Sequence, residues 1–583
     1  MPRQKPFSSK QKKFQLQDKR QRKKESSHDG SDPEEAIHKR RDRSQPQQNL
    51  RRGKLGAVPD RRTNPHRYCL QFFKESNEEI DRRKTLARRP LREIPEDALE
   101  VDIDQVYQPG SVLDLPKRPP WNYSLSRAEL EAREQKYFQE YTEAITEKFP
   151  PEQLSYFEMN LETWRQLWRV LEMSDILLLI LDIRYPVLHM SPALYHTVTH
   201  DLGKSIIIIL NKVDLAPPPL VIAWKSFLQQ KYEKVHIVLF TSYPNEALTE
   251  GGDEIKAKLR RKRGGGAWTR AMGQGQLLEV CQNIVGDKVD LSSWHDKLVS
   301  ADAMKEEEDT EDSSVVRSQY EDTSYKHEET TRYQNGVLTI GCVGYPNVGK
   351  SSLLNGLIGK KVVSVSRTPG HTKHFQTIFL TQTIKLCDCP GLVFPSLIDK
   401  SLQILAGIYP IAQVREPFTP VGFLAERIDI LNQLRLKHPN CEKNAAKSLK
   451  CWSAYDICEA WAEKRGFITA KSGRPDLHRA ANNLLRMGLD GRLCLCLRPP
   501  GYTDNKGHWE RHQETLKLIG DLECYRVNGM SDGEDEFSDE DLAHLGREND
   551  SDDEEESEGE DEENEDGSKY VSNNPFALLG GDD

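Results

Sequence analysis

The sequence predicts an α/β fold in which a mostly parallel sheet is flanked by helices and followed by a small helical domain. Short runs of apolar residues, each followed at once by a polar or glycine-rich stretch, carry this prediction. These runs cover residues 176–181, 205–210, 236–239, 337–343 and 383–387. The polar stretches are far apart in the sequence, yet we expect them to meet in space around one ligand.

The fourth run leads into a stretch of the form Gly-x-x-x-x-Gly-Lys-Ser. Its glycines allow successive backbone N–H groups to turn inward around phosphate oxygens, and residues 352–358 then begin a helix whose N-terminus faces the anion. Lys350 is predicted to reach the β- and γ-phosphates, and the Ser351 hydroxyl to ligate Mg²⁺. The alternative is a chance glycine turn, which the preceding strand and the following helix disfavour. The stretch consists of Gly344, Tyr345, Pro346, Asn347, Val348, Gly349, Lys350, Ser351 and Ser352.

A second stretch, Asn211, Lys212, Val213 and Asp214, follows the run 205–210 and is suited to reading a guanine ring. The Asp214 carboxylate can accept hydrogen bonds from guanine N1–H and N2–H₂, whereas adenine offers neither donor in that arrangement. We expect Asn211 to tie this stretch to the phosphate loop and the Lys212 stem to cover the ring face. An ordinary strand end with a polar loop remains the alternative for this tetrapeptide taken alone.

Three further stretches fit the same ligand. After the last run come Asp388, Cys389, Pro390 and Gly391; Asp388 can hold Mg²⁺ through water and the Gly391 N–H can meet the γ-phosphate. Thr372 is expected to complete the metal shell when a γ-phosphate is present. Thr241 and Ser242 stand where a turn contacting the base is expected, although Tyr243 replaces the alanine typical of that turn.

The base-reading stretch precedes the phosphate loop, whereas ordinary guanine-nucleotide switches have the opposite order. In this order the motifs resemble those of the circularly permuted GTPases of the YlqF/YawG type, and residues 164–175 and 181–186 look like the entry segment of that family. The resemblance covers roughly residues 155–515. It implies a P-loop GTPase domain that binds GTP/GDP with Mg²⁺ and hydrolyses GTP. Its better-known relatives assist assembly or export of the large ribosomal subunit, which implies pre-ribosomal particles or rRNA as partners.

Fast hydrolysis is not expected. Lys350, Thr372 and Gly391 would serve the reaction, but Leu392 occupies the position at which many switch GTPases carry a water-orienting Gln. A partner, another residue or an ion would then have to supply the missing positioning of the attacking water. In some GTPases resembling this one, an Asn at the position of Asn347 helps to hold K⁺; the alternative is that Asn347 only favours a tight turn. A nucleotide-binding pseudo-GTPase is a further alternative.

Charge divides the chain into regions. Residues 1–24 hold ten Lys or Arg against one acid, and residues 531–566 hold twenty-one acids against one Arg. We expect disordered tails at 1–65 and 528–583, because such composition cannot bury a core. Between them we predict a helical and extended segment at 66–157, the nucleotide domain at 158–400 with an insertion and acidic linker at about 245–335, and a helical domain at 401–527. In this last region the spacing predicts helices at 455–464 and 479–486, followed by a turn and a short strand at 488–493.

The tails suggest partners. The basic tail suits a nuclear import receptor or a phosphate-neutralising arm on RNA, and a merely solvated tail is the alternative. The acidic tail has serines that suit an acid-directed kinase, and it could bind basic proteins or only maintain solubility. Eleven cysteines without a paired framework and no apolar N-terminal segment indicate an intracellular protein without membrane contact. From the basic tail and the family resemblance, we expect the protein to be located in the nucleus or nucleolus and in the cytoplasm, with shuttling between them. A GTP-regulated signalling or scaffold protein remains an alternative to a ribosomal role.

Overall fold

The computed structural model shows a sheet covered by helices, as the α/β prediction requires. It describes residues 70–122, 124–242, 271–303, 317–318, 332–373, 375–439, 449–469 and 473–528. The predicted tails, except for Asn528 at the end of the last helix, lie outside these residues, as do the acidic stretch 306–309 and Tyr243. In the part that the structure describes, no helix has both the length and the apolar character needed to cross a membrane.

One sheet organises the described residues. Its strands are β1 (Ile176–Asp182), β2 (Ser205–Asn211), β3 (His236–Phe240), β4 (Arg317–Ser318), β5 (Leu338–Val343), β6 (Gln376–Thr381) and β7 (Ile384–Asp388). They lie in the order β3-β2-β1-β5-β7-β6-β4. All pairs from β3 to β7 are parallel, whereas β6 and β4 are antiparallel to their neighbours. The predicted parallel strands are thus confirmed, and only β1 separates β2 from β5.

The central strands are buried because helices cover both faces of the sheet. β1 is buried at every position, and β2 at every position after Ser205. The helices are α1 (Asn77–Ala87), α2 (Ile103–Tyr107), α3 (Arg127–Lys148), α4 (Leu161–Met173), α5 (Pro186–His189), α6 (Pro192–His196), α7 (Pro218–Lys231), α8 (Gln274–Val285), α9 (Ser292–Ala303), α10 (Lys350–Ile358), α11 (Lys400–Leu405), α12 (Phe418–Ala425), α13 (Ile430–Gln433), α14 (Ala454–Arg465), α15 (Leu477–Leu489), α16 (Lys506–Glu510) and α17 (Gln513–Asn528).

Local chemistry sets the bounds of the C-terminal helices. In α14 the Ser453 side chain accepts from the backbone of Asp456, whose carboxylate accepts in return, and the helix ends at Gly466 with a φ of 68°. The predicted helices at 455–464 and 479–486 are confirmed as α14 and α15. The short strand predicted near Leu493 is wrong. Within the described segment 473–528, the chain instead forms two isolated bridges, between Arg498 and Glu100 and between Pro475 and Ile468. The division into domains at residue 400 stays a prediction.

The segment before α4 braces the segment after β7. Backbone N–H groups of Ser155 and Glu158 donate to the carbonyls of Ser396 and Val393, each at 3.0 Å. Farther along, the Gln403 amide makes two hydrogen bonds with the backbone of Tyr156, at 2.8 and 2.9 Å. The stretch that follows the predicted phosphate-sensing glycine is therefore held along its length by the N-terminal part of the chain.

Glu158 makes this brace sensitive to pH. Its Oε1 accepts from the backbone of Gln71 and Asn160, whereas Oε2 is buried without a partner among the described residues. Burial raises the pKa of Glu158 to about 8. The folded state then keeps a proton that the unfolded state loses above its ordinary pKa of 4.5. The contribution to stability is therefore complete below pH 4.5 and is lost as the pH rises towards 8.

We expect Glu158→Gln to flatten this dependence. Wild-type stability should fall by up to about 1.4 kcal/mol per pH unit between pH 5 and 8 from this group alone. The variant should lack that component and be the more stable protein at pH 8. Urea unfolding followed by tryptophan fluorescence at pH 5, 6.5 and 8 measures both slopes. Parallel slopes in the two proteins would show that Glu158 is charged in the folded state.

Candidate functional site

The predicted stretches meet at one edge of the sheet. Parallel strands bring their carboxyl ends to the same edge, so the loops after β1, β2, β5 and β7 lie side by side. In register, Asp182 of β1 faces Asn211 of β2, and Cys342 of β5 faces Asp388 of β7. The two loops that the sequence places far apart are therefore neighbours in space.

Two hydrogen bonds join the base-reading stretch to the phosphate loop. The Asn211 amide donates to the Val348 carbonyl at 2.7 Å, and Lys212 Nζ donates to the Asn347 carbonyl at 2.7 Å. A left-handed φ of 61° at Lys212 turns the chain after β2 so that its side chain can do so. The Thr241 hydroxyl donates to Asp214 Oδ1 at 2.6 Å. Burial raises the pKa of Asp214, against the effect of this hydrogen bond.

Glycine is required in the phosphate loop for two different reasons. At Gly344 a Cβ atom would lie 2.7 Å from the Ile180 carbonyl oxygen of β1. At Gly349, where φ is +98°, a Cβ atom would lie 2.3 Å from the Asn211 amide nitrogen. The Lys350 ammonium is buried and donates to the carbonyls of Gly344 and Tyr345, at 3.1 and 2.7 Å. Burial lowers the pKa of Lys350, although Asp388 opposes the shift.

Tyr345 supports the loop from below. Its side chain is fully buried, and its hydroxyl lies 2.8 Å from that of Tyr107 and accepts from the Phe394 backbone at 3.2 Å. The ring of His189 lies 5.2 Å away. Burial lowers the pKa of His189 to about 3, so this imidazole is neutral at physiological pH. The Tyr345 side chain of the phosphate loop is thus packed against uncharged groups and held by hydrogen bonds.

Three oxygen-bearing side chains converge beside Lys350. The Ser351 hydroxyl donates to Asp388 Oδ2 at 3.1 Å and lies 3.4 Å from the Thr372 hydroxyl. Asp388 Oδ1 is buried without a hydrogen-bond partner among the described residues. Burial raises the pKa of Asp388 to about 6, although Lys350 and Ser351 oppose it. Hydroxyl and carboxylate oxygens are the ligands that Mg²⁺ prefers, so this set fits the predicted metal.

At Gly391 the backbone lies against the phosphate loop, whereas at Leu392 the side chain points into the core. A Cβ atom on Gly391 would lie 2.7 Å from Pro346, so only glycine lets this backbone approach the phosphate loop so closely. The Leu392 N–H donates to the Gly344 carbonyl at 3.2 Å, and its side chain is fully buried. The side chain at the position of the usual water-orienting Gln is therefore part of the core.

Asn347 connects the phosphate loop to two other segments. Its φ is 59°, and its side-chain nitrogen donates to the carbonyls of Arg367 and Gly407, each at 2.8 Å. Arg367 also pairs with Asp490 at the end of α15, at 3.2 Å. These contacts bring the segment before Thr372 and the C-terminal helices to the same loop.

The remaining predicted residues are placed as follows. Ser242 is buried, and its hydroxyl has no hydrogen-bond partner among the described residues. Val213, Pro346, Val348, Cys389 and Pro390 are buried, and Ser352 is half-buried at the start of α10. Their side chains support the loops, and ligand contact from these positions would come from the backbone.

Comparison with known proteins identifies the family. Over 568 residues the chain is 52% identical to guanine nucleotide-binding protein-like 1 of Rattus norvegicus, which covers 92% of this chain and 91% of the relative. The chain belongs to the guanine nucleotide-binding protein-like 1 family. The Homo sapiens protein of the same description is 52% identical over 551 residues, covering 89% of each chain.

Other matches to this family member are more distant. The large subunit GTPase 1 homolog of Mus musculus is 32% identical over 450 residues, covering 70% of this chain and 69% of the relative. The family model described as 50S ribosome-binding GTPase matches residues 339–415. A crystal structure of YlqF from T. maritima has 17% identity, covers 58% of this chain and 99% of its own, and has a TM-score of 0.31. At that score the likeness is too weak to define the fold.

In this guanine nucleotide-binding protein-like 1 family member, one pair at the site was not predicted. Arg184 is fully buried and pairs with Asp182 at 2.8 Å; it also donates to the Gly488 carbonyl at the end of α15, at 3.0 Å. Asp182 further accepts from Lys212 at 2.8 Å. Although burial favours the neutral acid, these two cations hold the pKa of Asp182 well below its usual range. Two opposite charges directly after an apolar run were the signal in the sequence.

Arg184→Met is expected to lower the free energy of unfolding by about 3 kcal/mol, because it leaves Asp182 with one of two cations and unpairs buried carbonyls. Lys84→Met removes an exposed pair with Asp81 and serves as the matched control, with a loss below about 1 kcal/mol. Urea unfolding of both variants makes the comparison. Equal losses would mean that the buried pair contributes no more than a surface pair.

Proposed function

We propose that this protein binds GTP and GDP with Mg²⁺ and hydrolyses GTP to GDP and phosphate. The observation that carries the proposal is the contact between the two loops, in which Asn211 and Lys212 each donate to the phosphate loop at 2.7 Å. The Asp214 carboxylate and the proposed phosphate-binding loop thus follow β2 and β5, two parallel strands that only β1 separates. Family membership supports the same conclusion.

Each part of the nucleotide has a counterpart in the site. Asp214 would accept hydrogen bonds from the guanine edge. Burial raises the pKa of this carboxyl group, and the guanine donors would stabilise its charged form. Lys350 exchanges its two loop carbonyls for the β- and γ-phosphates. Ser351, Thr372 and Asp388 would hold Mg²⁺, directly or through water, and the ion would neutralise charge on the phosphates. Gly391 brings a backbone N–H towards the γ-phosphate.

Hydrolysis is proposed to be slow unless a partner or an ion assists it. Leu392 is fully buried and carries no polar atom with which to orient water. Asn347 donates its amide hydrogens to two carbonyls, and no described residue donates to its amide oxygen, which can therefore accept from a donor or ligate a cation. This arrangement supports the K⁺ hypothesis.

GTP turnover should therefore be faster in K⁺ than in Na⁺ at equal ionic strength. Phosphate release measured in both salts tests this. Asn347→Gly keeps the positive φ accessible while removing the amide, so it should abolish the difference between the two salts. Equal wild-type turnover in both salts would end the K⁺ hypothesis, and no turnover in either salt, with GTP bound, would favour a pseudo-GTPase.

The biological role is proposed from the relatives. One relative is named a large subunit GTPase, and the matching family model is described as ribosome-binding. We infer that the protein acts on pre-ribosomal particles or rRNA, in the nucleus or nucleolus and the cytoplasm. The basic tail would engage import receptors and the acidic tail basic proteins. Sucrose-gradient sedimentation with purified pre-ribosomal particles, with GTP or GDP, tests the role. Failure to co-sediment in both states would favour the signalling or scaffold alternative.

We propose that a change at the bound nucleotide is transmitted to the C-terminal helices. The stretch after Gly391 leads through the braced residues 393–396 into α11, and the end of α15 reaches the site through Arg184 and Asp490. A change in the γ-phosphate contact can therefore reach the C-terminal helices along the chain and through these contacts.

A further inference from the structure

Two thiols lie directly behind the base-reading stretch. Cys494 and Cys496 are half-buried, and their Sγ atoms are 3.6 Å apart. The Cys494 thiol donates to the Leu215 carbonyl at 3.0 Å, and Cys496 Sγ lies 4.0 Å from the same oxygen. Leu215 immediately follows Asp214 in the chain. The pair therefore contacts the turn that carries the guanine-reading carboxylate.

The environment of this pair favours a reactive thiol. Cys387 and Cys389 have the same spacing in the sequence, but they are fully buried, and burial raises the pKa of both to about 12. The pKa of Cys494 is instead lowered, first by the hydrogen bond with Cys496 and further by the Arg184 guanidinium, against the effect of burial. A thiol whose ionisation is favoured by a second thiol and a cation, with partial exposure, is the arrangement found at redox-active cysteines.

We propose that Cys494 and Cys496 form a redox-active dithiol site, which peroxides convert to a disulfide and which thereby loosens the base-reading turn. The redox chemistry of the pair is inferred from the contacts of the two cysteines and does not depend on the proposed function. Its consequence for nucleotide release rests on the proposed function.

The reaction needs a peroxide as the two-electron oxidant. The Cys494 thiolate attacks a peroxide oxygen; an S–O bond forms, the O–O bond breaks, and the departing hydroxide takes a proton to become water. The Cys496 thiol, whose pKa is raised by its contact with Cys494 and by burial, then attacks the Cys494 sulfur; the S–S bond forms, the S–O bond breaks, and the departing hydroxide takes the Cys496 proton and leaves as a second water. The two sulfurs together lose two electrons. The two sulfur atoms must close from 3.6 Å to about 2.05 Å.

Oxidation removes a support of the turn. In the disulfide neither sulfur carries a proton, so the Leu215 carbonyl loses its S–H donor. The Leu215 N–H donates to the Lys212 carbonyl at 2.9 Å, and a Cβ atom on Gly491 would lie 3.0 Å from the Leu215 side chain. A shift at Leu215 therefore reaches the Lys212–Asp214 turn. Loss of one modest hydrogen bond predicts about three- to tenfold faster GDP release.

The first experiment maps the thiol chemistry in the full-length chain. Reduced protein is treated with increasing hydrogen peroxide, alkylated, digested and analysed by mass spectrometry. We expect a disulfide within the peptide that holds both cysteines, and we expect phenylarsine oxide, which binds two neighbouring thiols, to block its formation. The exposed Cys451 gives a matched control through Cys451→Ser, which should leave the disulfide intact. Independent oxidation of Cys494 and Cys496, with no disulfide at doses that oxidise Cys451, overturns the site.

The second experiment measures release of a fluorescent GDP. Peroxide should accelerate release in wild type and in Cys451→Ser, but not in Cys496→Ser. Unchanged release from protein whose disulfide is complete overturns the coupling to the base-reading turn. If neither redox state binds fluorescent GDP, the proposed nucleotide function fails, while the peptide mapping still decides the dithiol site. The arsenical result on wild-type protein does not depend on a variant that folds.

Discussion

Replacing Asp214 by Asn is expected to weaken GTP binding by about 100-fold and to create a preference for xanthosine triphosphate. The carboxylate can accept from both donors of the guanine edge, whereas an amide places one of its own donors against a guanine N–H. Xanthine carries an oxygen where guanine carries its amino group, and that oxygen can accept from the new amide. Thr241, which donates to Asp214 Oδ1 at 2.6 Å, would hold the substituted side chain in place.

Competition between fluorescent GDP and GTP, ATP or xanthosine triphosphate measures this change. Asp504→Asn makes the same substitution at an exposed carboxylate before α16 and should leave all three affinities unchanged. If Asp214→Asn retained wild-type GTP affinity and gained nothing for xanthosine triphosphate, the base would have to bind elsewhere.

Lys350→Ala should abolish tight triphosphate binding, with a loss of at least about 100-fold. The ammonium is preorganised in the phosphate loop, where it is buried and held by the carbonyls of Gly344 and Tyr345. It is also the positive charge that opposes the raised pKa of Asp388. Its loss removes the attraction for the phosphates and leaves the metal-binding carboxylate without its counter-charge.

A lysine just beyond the same helix provides the comparison. Lys361 is exposed after α10, and Lys361→Ala should bind triphosphate as wild type does. Isothermal titration with a non-hydrolysable GTP analogue, together with thermal unfolding to show that both variants fold, gives the measurement. Retained affinity in folded Lys350→Ala would count decisively against this phosphate site.

Much of the fold could be predicted because its signals are local. An apolar run followed by a polar stretch marks a buried strand and its carboxyl end, and all five predicted runs are strands. The antiparallel strands β6 and β4 escaped prediction because neither contains an apolar run as long as those of β1 and β2. The wrong strand near Leu493 shows the converse: alternating apolar residues there pack against other elements without pairing into a ladder.

The site was predicted in parts and completed only by tertiary contacts. Nothing in the sequence near Asn347 indicates that its side chain joins Arg367 to Gly407. Arg184 could have been noticed as a charge after an apolar run, but its reach to α15 could not. Likewise, the spacing of Cys494 and Cys496 is the same as that of Cys387 and Cys389, and only packing makes the first pair half-buried and the second fully buried.

The sequence alone determined the type of ligand and the permuted order, because motifs that bind phosphate or read guanine need particular residues at fixed local spacing. Only the tertiary structure decided which side chains are buried, which charges are paired and which segments touch the site. Those properties depend on what lies across a strand or helix interface, and elements distant in the sequence supply it.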